Sequence, residues 1–286
     1  MADLVDNYLD RLTARQFSPA TIKAYRQDLR LCEQAIGKPL VRATEDDLER
    51  YMADLTRAGL KATTIRRKQS ALRGFYQHCR RRRARKSNPA DCLEPPKIEE
   101  RLPVHLSRGQ LGDLSESLRG DTPADRRHAA LVLTLIHTGM RAAELMGLTF
   151  DDLFLSDREL RVFGKGRKER MLPISDALHR ALRRWLEVHP TGEGAVFVSL
   201  RYPHRPLRHS GVDGVVRKAM ASAGLNPKRF SPHKCRHTFA TRLINSKMPI
   251  EKIQKLLGHK QIGTTTIYAH TEMGDDLRNA IGEALE

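Results

Sequence analysis

Aromatic residues are scarce, 5% of 286 residues with a single tryptophan, so the chain offers no stacking platform of the kind that reads single-stranded RNA. Cysteine is as sparse. Cys32, Cys79, Cys92 and Cys235 have neither the paired spacing of a zinc site nor the density of a disulfide scaffold, and they read as reduced thiols in a cytosolic protein. No stretch approaches the ~18 consecutive apolar residues of a membrane span. The opening Met-Ala-Asp-Leu-Val-Asp lacks the basic start and apolar core of a secretion signal. Internal repeats and low-complexity tracts are also missing, which leaves a soluble, unsecreted globular chain, expected in the cytoplasm.

Acidic residues are outnumbered, 34 against 51 Lys and Arg, for a net charge of +17. Such an excess favours a polyanionic partner: DNA, RNA or an anionic membrane. Through Glu94 there are 20 basic and 12 acidic residues, and beyond it 31 and 22, so the two parts carry +8 and +9. An even spread suits contact with a phosphate backbone from two sides better than a single basic tail does.

The length fits two domains. In the first, Ser18-Pro19 can cap a helix with Ile22, Tyr25, Leu29, Cys32 and Ile36 inward, and Thr44 with Asp47 can box a second that Gly59 ends. A third helix from about Thr63 turns Ile65, Leu72, Phe75 and Cys79 inward. Arg66, Arg67, Lys68 and Arg73 are expected on its outer face, continuing into Arg80–Arg83, Arg85 and Lys86; this run fits a solvated face and a phosphate contact equally. Pro-rich sequence between Asn88 and Leu106 marks the boundary. We expect a helical domain over 1–94, a linker over 95–106 and a second domain over 107–286. In the latter, Ala129–His137 reads as a buried helix, Glu159–Ile174 as a β-hairpin, and helices recur at 175–188, 211–223, 231–245 and 249–257. The fold is thus mainly α with a small β-sheet or hairpin.

Five segments of the second half gather cations, imidazoles and a tyrosine. Arg141 and Glu144 follow Thr138-Gly139, a helix end; alone they equally fit a structural pair. Lys165, Arg167 and Lys168 occupy a glycine-bracketed hairpin tip, fit for a groove or for solvent. Ser231-Pro232 opens a helix on which His233, Arg236 and His237 share a face near an anion-favouring N-terminus. A zinc helix is the rival there, but Lys234 stands where a metalloprotease needs glutamate, and no third ligand is apparent. Leu256-Leu257-Gly258-His259 and Thr266-Ile267-Tyr268 complete the set.

Arg, then a hairpin Lys, His-x-x-Arg, Leu-Gly-His and a Tyr nine residues after that His, in this order, resemble the tyrosine recombinase (phage integrase) family, and its small Xer-like members above all. The resemblance spans the chain and is most specific in the second half. It implies a helical DNA-clamping domain followed by an α+β catalytic domain. It further implies that Tyr268 forms a 3′-phosphotyrosyl intermediate, that Arg141 and Arg236 clamp the phosphate oxygens, and that Lys165 protonates the leaving 5′ oxygen. His233 would assist proton removal from Tyr268, His259 would hydrogen-bond the phosphate and Glu144 would support the cluster. No metal or nucleotide cofactor is implied. Recombination would pass through a Holliday junction, in integration, excision or resolution, on double-stranded DNA.

Leu277, Ala280, Ile281, Ala284 and Leu285 give the tail, about 275–286, an amphipathic helical spacing. Family members pass such a tail between subunits of a tetramer on two DNA sites; folding back on its own domain is the other option. The alternatives are a type IB topoisomerase-like enzyme and an architectural DNA-binding protein without activity. The second is disfavoured by the completeness of the reactive set.

Overall fold

A computed structural model of the chain describes residues 4–97, 104–164 and 169–258. It divides into two compact units, Met1–Arg101 and Leu102–Glu286. The first unit holds α1 (Leu4–Ala14), α2 (Pro19–Ile36), α3 (Glu45–Arg57) and α4 (Ala62–Arg81). The caps expected from the sequence form: Ser18 Oγ accepts from Thr21 N, and Thr44 and Asp47 bond reciprocally across the first turn of α3. Helix α1 buries Val5, Tyr8, Leu9 and Leu12, which recur at one turn's spacing, against the core formed by Leu29, Leu72, Phe75 and Tyr76.

The second unit begins earlier than the sequence suggested. Leu106, expected in the linker, is buried in the core of this unit, and its N–H donates to Thr238 Oγ1 at 3.0 Å; an apolar side chain next to a helix start gains more from burial than from solvent. At the other end, Ala90 and Leu93 pack into the first unit. Helices α5 (Arg108–Ser117) and α6 (Pro123–Thr138) follow, then the short α7 (Ala142–Met146). The antiparallel sheet consists of β1 (Leu153–Phe154), β2 (Glu159–Phe163) and β3 (Glu169–Pro173), in the order β1-β2-β3. Helices α8 (Asp176–Leu186), α9 (His209–Ser222), α10 (Pro232–Asn245) and α11 (Ile250–Leu257) complete the described part. Helix α6 lies at the centre, with Leu131, Val132, Leu135 and Ile136 buried alongside Leu182 and Trp185 of α8 and Val216 of α9. Phe239 and Leu243 of α10 pack on Ile253 and Leu257 of α11. The described active-site candidates sit where α6, α10 and α11 meet.

Candidate active site

Gly139 ends α6 in the left-handed region at φ 61°, and a side chain there would run into the Phe239 ring of α10. Glycine alone combines that backbone with so close an approach. The turn delivers Arg141 to the N-cap of α7. Its backbone N–H donates to Glu144 Oε2 and its Nη1 to Glu144 Oε1, both at 2.8 Å. The arginine side chain stays 44% exposed while that of Glu144 is only 6% exposed.

A carboxylate buried this far needs compensation. Most of it comes from a residue that the sequence pattern did not single out, Arg170 on β3. Its Nη2 donates to Glu144 Oε2 at 2.8 Å and its Nη1 to Oε1 at 3.2 Å, a two-pronged pairing. Burial by itself raises the Glu144 carboxyl, but the hydrogen bonds and charge of Arg170, with the amide and guanidinium of Arg141, outweigh it and hold the group below its ordinary range. Strand alternation carried the missed signal. Arg170 pairs opposite Val162 and lies two residues from Leu172, both buried, so it belongs to the inward face of the hairpin.

Pro232 begins α10 after Ser231, a favourable start. One turn on, the rings of His233 and His237 meet edge to face, centroids 4.4 Å apart. Burial lowers the pKa of His233 below its ordinary value, and the positive charges of Lys234, Arg236 and Arg141 lower it further. Arg236 is almost fully buried. It donates from Nη1 to Gly139 O at 2.8 Å and from Nη2 to Leu257 O at 2.6 Å.

Those bonds answer a need of α11, which closes at Gly258 with φ 63°. The last carbonyls of a helix have no partner within it. Here the Leu256 carbonyl accepts from Arg170 Nε at 2.8 Å and the Leu257 carbonyl from Arg236, placing two cations at the negative end of the helix. Arg141, Glu144, His233 and Arg236 are thereby assembled at one junction with Arg170. Lys165, Arg167, Lys168, His259 and Tyr268 lie outside the described residues. Among the described residues, no three His, Cys, Asp or Glu side chains cluster as metal ligands. No described helix is long and apolar enough to cross a membrane, and all four thiols are free.

The basic face expected on α4 is smaller than its sequence implies. Lys68 does not lie on the outer face: it is buried, with Nζ donating to Asp28 Oδ1 at 3.0 Å and to Tyr51 Oη at 3.4 Å. The buried carboxylate of Asp28 draws it inward, since either charge alone would be costly away from water. Arg67 pairs with the same Asp28. Arg73 donates to the carbonyls of Ala90 and Leu93, tying the following segment back onto α4. Arg66 and Arg80–Arg83 remain exposed.

Residues 106–274 match the phage integrase family, and residues 5–83 match the phage integrase N-terminal SAM-like domain. The chain belongs to the phage integrase family. It is 32% identical to tyrosine recombinase XerD of Yersinia pestis, covering 93% of this chain and 92% of that one. It is 34% identical to tyrosine recombinase XerC of Alcanivorax borkumensis, covering 94% and 89%. Its fold is that of the Tn1549 transposon integrase solved with transposon right end DNA, at TM-score 0.75 and 24% identity over 94% of this chain and 95% of that chain. XerH site-specific recombinase bound to palindromic difH substrate gives TM-score 0.75 and 23% identity over 90% and 78%. The recombinase is therefore a Xer-like enzyme that cleaves and rejoins DNA in site-specific recombination. The topoisomerase-like and inactive architectural readings are not favoured.

Proposed function

We propose that the recombinase cuts each strand by attack of the Tyr268 phenolic oxygen on the scissile phosphorus. A phosphotyrosyl bond forms to the 3′ end and the bond to the 5′ oxygen breaks. The phenol, with an ordinary pKa near 10, gives its proton with help from His233, and Lys165 supplies one to the departing 5′ oxygen, so the proton balance closes. Arg141, Arg236 and His259 hold the non-bridging oxygens as negative charge develops, with Glu144 behind Arg141. One phosphate ester replaces another, so rejoining by the reverse reaction needs neither nucleotide nor metal. Strands are exchanged in two such rounds through a Holliday junction, by four protomers on two DNA sites whose tails, Ala269–Glu286, dock on neighbours. Arg66, Arg167 and Lys168 rest on the DNA backbone, and the protein works in the cytoplasm.

The observation that supports this reading best is the tie from Arg236 to the carbonyl of Gly139 at 2.8 Å, which joins the His-x-x-Arg helix to the turn bearing Arg141. The test is suicide DNA, nicked so that the cut fragment escapes and the covalent complex accumulates. Parent protein is expected to form the adduct in excess EDTA, while Tyr268→Phe binds the same DNA and forms none. An adduct with the phenylalanine variant would move the nucleophile elsewhere, and EDTA inhibition relieved by a divalent ion would overturn the metal-free step.

A further inference from the structure

We infer that Arg170 is a positioning residue for DNA cleavage: it fixes the carboxylate that presents Arg141 and, with the same guanidinium, the last turn of α11. The inference rests on the reading that Arg141 holds the scissile phosphate.

Three facts carry it. Arg170 is an arginine on the inward face of a hairpin, its side chain 13% exposed, in a place where a leucine or valine would ordinarily pack. Its guanidinium is engaged on two sides, at Glu144 through both Nη atoms and at Leu256 O through Nε. Gly258 lies directly against it, since a Cβ there would stand 3.2 Å from Arg170 Nη1. Glu144, in turn, reaches the exposed Arg141 through both its amide and its guanidinium. A planar five-donor fork makes this arrangement and an ammonium cannot, because lysine supplies one point charge without the Nε arm. Without Arg170 the buried Glu144 carboxylate would lose its main counter-charge and could turn onto Arg141, withdrawing that guanidinium from phosphate. A displacement of about 1 Å at a catalytic group costs on the order of 10²-fold in rate.

A defect transmitted through Arg141 has a signature that a general loosening of the fold does not. If the scissile phosphate is replaced by a methylphosphonate, one negative oxygen becomes a neutral methyl group and the demand for cationic stabilisation falls. We would measure single-turnover cleavage at saturating protein for the parent, Arg141→Ala, Arg170→Ala and Arg170→Lys on both linkages, with DNA binding and thermal midpoints recorded alongside. The expected result is a loss of ~10²-fold for Arg170→Ala on the phosphodiester, shrinking at least tenfold on the methylphosphonate, as for Arg141→Ala. Arg170→Lys should resemble the alanine variant, and Arg170→Ala added to Arg141→Ala should cost little more on the phosphodiester. Equal losses on both linkages for Arg170→Ala, with relief for Arg141→Ala, would overturn the inference alone, as would rescue by lysine. No relief for Arg141→Ala would overturn the reading of Arg141 as the phosphate clamp, and the inference with it.

Discussion

The His233 ring is held below its ordinary 6.5 by burial first and by the charges of Lys234, Arg236 and Arg141 after it. Its protonated form is the disfavoured one, so the neutral imidazole that a proton acceptor requires persists to lower pH than in a free histidine. The same sign applies to stability: as pH falls below 6.5 the unfolded chain takes up this proton first, and the folded state is progressively disfavoured. The rate of adduct formation is therefore expected to stay level from pH 8 down to about 6.5 and to fall only below it, with that acid limb lost in His233→Gln. A limb centred above 6.5 in the parent would contradict the assignment. At this scale the sequence was informative about chemistry and silent about support. Arg141, His233 and Arg236 are recognisable from their order and spacing, but what secures them is a set of backbone carbonyls, at Gly139, Leu256 and Leu257, that no side-chain pattern announces. Arg170 and Arg167 look alike in a basic turn, and the partner of Arg170, Glu144, lies 26 residues away.

Elements with local signals were legible: the caps of α2 and α3, the glycine ends of α6 and α11, and the alternating β2–β3 hairpin. Helix α1 was not singled out although Val5, Tyr8, Leu9 and Leu12 recur at helical spacing, and β1 was missed because two residues cannot display a period. Helix α4 was found but its faces were misjudged, since a lysine at a helical position reads as solvated unless its distant carboxylate is known. The α4 faces can be separated experimentally. Asp28→Asn, which strands the buried Lys68, is expected to cost about 3 kcal/mol in urea unfolding. Arg66→Ala should leave stability alone and lower the salt dependence of DNA binding by about one released counterion. A larger loss of salt dependence for Lys68→Met than for Arg66→Ala would return Lys68 to the DNA face.

Over the whole molecule, the even charge, +8 and +9 on either side of Glu94, matches a chain with a family match in each of two units. The proposed assembly depends on the tail. Truncation after His270 is expected to leave binding by single protomers intact and to impair two-site complexes and strand exchange, read by complex stoichiometry and recombination on paired sites. Unchanged exchange would refute tail docking. The anchoring of α11 by Arg170 and Arg236 adds a kinetic consequence. Tyr268 follows Gly258 by ten residues, so their backbones can stand no more than about 35 Å apart. For Tyr268 acting as the nucleophile, as proposed, a connection of this length corresponds to an effective concentration in the millimolar range, however dilute the enzyme. The two arginines thereby fix the point from which that limit on the proposed nucleophile is measured.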